Sequence, residues 1–121
     1  MTTNSTSTDM DTGNLFQHIP ATLPDELTDT LVSGRQLRIE RIVSRGHASP
    51  PGFWYEQDSD EWVLLVKGEA GLRFESGDRL LHLTEGMHVH IRAGERHRVE
   101  WTSDAGDTIW LAVFHEADQA R

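Results

Sequence analysis

From Gln36 onward, apolar and polar side chains alternate with a period of two. Leu37, Ile39 and Val43 alternate with Arg38 and Glu40, and Leu72 and Phe74 with Arg73 and Glu75. Val89 and Ile91 alternate with His88 and His90, Val99 and Trp101 with Arg98 and Glu100, and Ile109, Leu111 and Val113 follow. This period puts successive side chains on opposite faces of an extended chain and predicts short, half-buried β-strands. Turn-forming clusters separate the runs at Ser49-Pro50-Pro51-Gly52, Asp58-Ser59-Asp60, Ser76-Gly77-Asp78, Ala93-Gly94-Glu95 and Ser103 to Asp107. Many short strands with no helical period among them predict an all-β antiparallel sandwich or barrel, and closure would remove exposed edges. One segment upstream breaks the pattern. Pro24 to Val32 has a leading proline, early acids, Leu27 and Leu31 four apart and Gly34 just beyond, which predicts a short N-terminal helix.

Composition narrows the picture. At 121 residues the chain is expected to form one domain with a single core. Residues 1–14 are Thr, Ser, Asp and Asn with few apolar side chains and are expected to form a disordered tail. The domain would run over 15–116 and end in a frayed segment at 117–121. Leu15 to Pro20 supplies apolar residues that could lie on the barrel or pair across a dimer. Zero cysteines exclude disulfides, thiolate nucleophiles and sulfur-ligated zinc, and fit a cytoplasmic setting. No apolar run nears the roughly 20 residues that span a bilayer, so no membrane partner is expected. A net charge of −9, with Arg92, Arg96 and Arg98 interleaved with Glu95 and Glu100, argues against nucleic acid.

Strand geometry also places candidate chemistry. Glu61, Val63 and Leu65 share one face of their run, and His97, Val99 and Trp101 share one face of theirs. Their apolar companions mark both faces as interior, so Glu61 and His97 should point inward near a barrel mouth. Tyr55 and Gln57 likewise share a face. An inward glutamate is costly unless a cation, an arginine or a ligand pairs with it. Phe53 and Trp101 are expected to wall a small pocket, whereas Trp62 and Trp110 suit packing. His88-Val89-His90 is a second candidate pair on the opposite face from Val89 and Ile91, with His82 as a possible third donor. His47, next to Ser49-Pro50-Pro51-Gly52, reads as a loop histidine, and His18 and His115 carry no pattern.

The order of two segments carries a family resemblance. The first is Glu61-Trp62-Val63-Leu64-Leu65-Val66-Lys67-Gly68. The second is Gly86-Met87-His88-Val89-His90-Ile91-Arg92-Ala93-Gly94-Glu95-Arg96-His97. Together, over about Gly46 to Val99, they resemble the two motifs of the cupin superfamily. The resemblance implies a cupin-type antiparallel β-barrel, a double-stranded β-helix or jelly roll, commonly dimeric. It also implies a metal held by two histidines of a His-x-His, a glutamate and a later histidine. Position by position these fall on Tyr55, Gln57, Glu61 and His97, so two of the four are replaced by oxygen donors. Such a set would suit iron, manganese, nickel or zinc. The leading expectation is a divalent metal and a small polar molecule inside the barrel. Catalysis of dioxygenase, isomerase or lyase type would use Tyr55 as acid or base. The alternative is a metal-free cupin that binds or senses a small molecule without turnover. A homodimer is expected in either case.

Overall fold

The computed structural model describes residues 11–117. Eight strands appear in chain order: β1 (Leu27–Ser33), β2 (Leu37–Ser44), β3 (Asp60–Lys67), β4 (Ala70–Phe74), β5 (Arg79–Leu83), β6 (His88–Ile91), β7 (His97–Thr102) and β8 (Thr108–His115). All pairings are antiparallel. They form a five-stranded sheet in the order β1-β2-β8-β3-β6 and a three-stranded sheet in the order β5-β4-β7. The sheets face each other but are not hydrogen-bonded into a closed barrel, which corrects the expectation of closure. An isolated bridge between Tyr55 and His97 extends the smaller sheet.

The helix expected over 24–32 is strand β1. Thr28, Thr30 and Val32 are β-branched and lose less side-chain freedom in a strand than in a helix. Their backbone groups pair with β2 in the register Thr28↔Ile42, Thr30↔Glu40 and Val32↔Ile39, with a bulge at Leu31. Gly34, read as a helix stop, instead sits in the hairpin turn, its N–H donating to the Leu37 carbonyl at 2.8 Å. The expected tail lies largely outside the described residues, as does most of the C-terminal segment.

The core lies between the sheets. Val63 and Leu65 of β3, Leu72 and Phe74 of β4, and Trp110, Ala112 and Phe114 of β8 are buried in one cluster. Gly68, with φ +93°, turns the chain from one sheet to the other; a Cβ there would lie 2.8 Å from Thr108 Cα. Such an approach admits only glycine. On β2 the inward residues are Arg38, Glu40 and Ile42, so Leu37, Ile39 and Val43 occupy the outer face. The segment 15–18 crosses this outer face, where buried Arg41 donates to the carbonyls of Leu15, Gln17 and His18 and pairs with Asp29. The attachment of 15–18 is thus polar, with Phe16 left 57% exposed.

Candidate functional site

A cavity of about 240 Å³ opens between the sheets, bordered by Tyr55, Gln57, Glu61 and His97. The alternation that puts Val63 and Leu65 in the core puts Glu61 there too, and it is buried. His97 is also buried, directly across from Phe74 in the β4–β7 register. Gln57 Nε2 donates to Glu61 Oε1 at 3.1 Å, and His97 Nε2 lies 3.6 Å from the same oxygen. His97 Nδ1 lies 2.9 Å from the Glu95 carbonyl, which can only accept, so Nδ1 carries a proton. In the neutral ring, Nε2 then presents a lone pair to a carboxylate. Two acceptors at that distance require a proton or another cation between them. Burial, the largest influence on His97, lowers its pKa. The Glu61 hydrogen bond, the Glu95 carbonyl and the charges of Glu61 and Glu95 together outweigh burial and raise it.

Tyr55 reaches the site by stacking on the His97 ring, with centroids 5.4 Å apart and planes 23° apart. Burial, and then the charges of Glu26 and Glu61, raise the phenol pKa, so Tyr55 is a neutral O–H donor. Phe53 is 42% exposed and touches the site only through an edge-to-face contact with Tyr55. Trp101 does not wall the cavity. A register shift between Gly71 and Leu72 pairs Gly71 with Trp101 and Leu72 with Val99, so Trp101 turns away from the face of Val99. Its indole packs on Gly71 and against exposed His82, outside the smaller sheet. Glu26, Glu40 and Arg38 add charge beside Glu61 and His97, while Ile42, Val63, Leu72, Ile91, Val99 and Phe114 make the remaining lining largely apolar. Arg38 pairs with Glu40 at 2.6 Å and lies over the Phe114 ring. Trp110, also at the cavity, has a buried indole N–H with no partner among the described residues.

The model of the Cupin_2 family, a cupin domain, matches residues 42–114. The chain is a cupin. A solved structure from Ralstonia eutropha JMP134, provisionally described as a mannose-6-phosphate isomerase, is 45% identical to it. That match covers 88% of this chain and 98% of the other at a TM-score of 0.84. An RmlC-like cupin from Methanocaldococcus jannaschii, described as a double-stranded β-helix, is 18% identical with a TM-score of 0.64. It covers 82% of this chain and 87% of its own, and shows the fold alone. The SEC13 homolog of Drosophila melanogaster is 29% identical over 111 residues, 88% of this chain. This chain spans 31% of that relative's length.

In this cupin, Tyr55, Gln57, Glu61 and His97, the four residues that the resemblance matches to a metal motif, border the same cavity. They offer a carboxylate, an imidazole, a carboxamide and a neutral phenol. The second candidate pair behaves differently. His88 and His90 point away from Val89 and Ile91, as the alternation requires, onto the outer face of the five-stranded sheet. His82 does not join them, because it belongs to the other sheet and lies 3.4 Å from Glu69. His90 meets Asp60 and His115 instead, with one donor atom from each within 4.8 Å of the others. Neither Asp60 nor His115 carries a sequence signal for this meeting. Only the β3–β8 register, Asp60↔His115, brings them side by side.

Proposed function

We propose that this cupin binds a small polar molecule in its cavity and holds a divalent cation between Glu61 and His97. The observation that carries the reading is the facing pair of acceptors, Glu61 Oε1 and His97 Nε2, at 3.6 Å. A cation can take the place of the proton they otherwise share. Gln57 fits as a third donor if its amide rotates to present oxygen, which would exchange its hydrogen bond to Glu61 for a metal contact. One imidazole with two oxygen donors binds more weakly than the three-histidine set of the family motif. When bound, the ion would act as a Lewis acid on a ligand oxygen. Tyr55 would donate its hydroxyl proton to the same ligand.

Charge narrows the ligand class. Glu26, Glu40 and Glu61 place three carboxylates around the cavity, and the one arginine, Arg38, is already paired with Glu40. Such a lining disfavours a phosphate dianion and favours a neutral, hydroxyl-rich or cationic molecule. About 240 Å³ lies below the cavity range typical of drug-sized ligands, which suits a molecule no larger than a monosaccharide. The Ralstonia relative's description points toward sugar isomerisation, and an unphosphorylated sugar fits this lining better than its phosphate ester. A metal-free binding module is the second reading, favoured by the Gln57 donor that already satisfies Glu61.

Calorimetry on untagged, chelator-stripped protein tests the first reading. Manganese or zinc should bind, and Glu61→Gln should weaken one class of site at least about tenfold. Equal affinity in parent and variant would leave the metal-free reading in its place.

A further inference from the structure

We propose that Asp60, His90 and His115 form a second divalent-metal site on the outer face of the five-stranded sheet, suited to zinc or a neighbouring transition metal. The three residues come from the start of β3, the middle of β6 and the end of β8, so no local sequence motif contains them. Strand pairing puts Asp60 opposite His115, and His90 opposite Trp62, two residues along the same face from Asp60. None stands at a position of the family's metal motif. Asp60 and Glu61 are consecutive on one strand and therefore point to opposite sides of the sheet.

Three features make the cluster a site rather than a chance meeting of surface charges. Asp60 is only 1% exposed, and its Oδ1 accepts the Ala93 N–H at 2.8 Å, which fixes the carboxylate. The other oxygen, Oδ2, lies 3.5 Å from His90 Nε2. The His90 and His115 rings stack nearly parallel, 5.4 Å between centroids and 23° between planes, which sets them side by side next to Asp60. His115 Nδ1 lies 3.2 Å from the Glu116 carbonyl. Donation there leaves Nε2 with the lone pair and supplies the outer hydrogen bond typical of a metal-bound histidine.

An ion about 2.0–2.2 Å from nitrogen and oxygen donors needs them roughly 3.3 Å apart in a tetrahedron. The three donors already lie within 4.8 Å of one another, and the two histidines can close by side-chain rotation while Asp60 stays fixed. Two imidazoles and one carboxylate leave the fourth position to water, facing solvent. Nitrogen-rich donors favour zinc, nickel or copper over magnesium and calcium. Occupancy would clip together the ends of β3, β6 and β8. Through the Asp60–Ala93 bond it would also tie them to the turn that carries Glu95 and leads into His97.

The experiment is zinc titration of the untagged, chelator-stripped full chain by calorimetry, with cobalt absorption as the readout of ligand geometry. His90→Gln and His115→Gln should each weaken one class of zinc site at least about tenfold and diminish the visible cobalt band that Glu61→Gln retains. Glu61→Gln should leave that class unchanged, which separates this site from the interior one. Circular dichroism should show both histidine variants folded, since neither side chain is buried. Zinc stoichiometry and a cobalt band unchanged from the parent in both variants would overturn the proposal. So would zinc binding lost only in Glu61→Gln, or a parent protein that takes up no zinc.

Discussion

The Glu61–His97 contact makes a pH-dependent claim whose sign follows from the direction of the His97 shift. Its pKa in the folded protein lies above the ordinary histidine value of about 6.5. The pair's contribution to stability is therefore fully present below that value and is lost as pH rises through the raised one. Removing the Glu61 charge removes both the hydrogen bond and one of the charges that raise His97, so Glu61→Gln should lower its pKa. An NMR titration of the imidazole reads this directly. In chelator-treated protein, Glu61→Gln should cost more stability at pH 6 than at pH 9, because only at the lower pH does it leave a buried cation unpaired. Equal melting shifts at the two pH values would show that His97 does not share a proton with Glu61. In excess manganese or zinc, the parent should gain more melting temperature than the variant.

At the scale of elements, the bulge in the β4–β7 pairing decides which aromatic residues reach the cavity. It carries Trp101 to the outside, where the ring rests on Gly71. A Cβ at position 71 would lie 2.2 Å from Trp101 Nε1, so Gly71→Ala should force the indole off the sheet. We expect a loss of about 1–3 kcal/mol, the usual cost of overpacking, read by urea denaturation. Tryptophan fluorescence should shift to the red as Trp101 becomes more hydrated. An unchanged spectrum and midpoint would mean that the indole does not rest where the structure places it. The same element-level logic explains the missing helix. Residues 24–32 carry helix punctuation, but β1 gains a full set of backbone partners from β2 that a short surface helix would lack.

Across the whole molecule, residues 15–18 are joined to the sheet through the buried Arg41, while Arg45 holds Pro20 and Ala21 and His47 meets Pro24. Arg41 bonds Asp29 and three carbonyls of the segment 15–18, and its own side chain is almost fully covered. Arg41→Ala should cost about 1–3 kcal/mol, because three carbonyls and the Asp29 carboxylate lose a charged donor. It should also release residues 15–18 to protease at concentrations that leave the parent intact. Limited proteolysis followed by mass spectrometry of the cut sites checks both halves. Equal cleavage in parent and variant would show that other contacts hold the segment.

Period-two alternation alone determined the all-β class, the inward placement of Glu61 and His97, and the outward placement of His88 and His90. Those properties depend only on which side of a strand a residue occupies, and the chain's own geometry fixes that side. Parity failed where the backbone slipped by one residue, as at the bulge before Trp101, since a single unpaired residue reverses every face beyond it. It was also silent on registers between strands far apart in sequence. Asp60 and His115 lie far apart in sequence and meet only because β3 pairs with β8. The charged lining from Glu26, Arg38 and Glu40 is of the same kind. Leu37, Ile39 and Val43 suggest an inward apolar face for β2, yet they lie on the outer face of the sheet, where Leu37 stays exposed and Val43 is buried. Which face of a strand is covered is a property of its neighbours, and the tertiary structure alone supplies them.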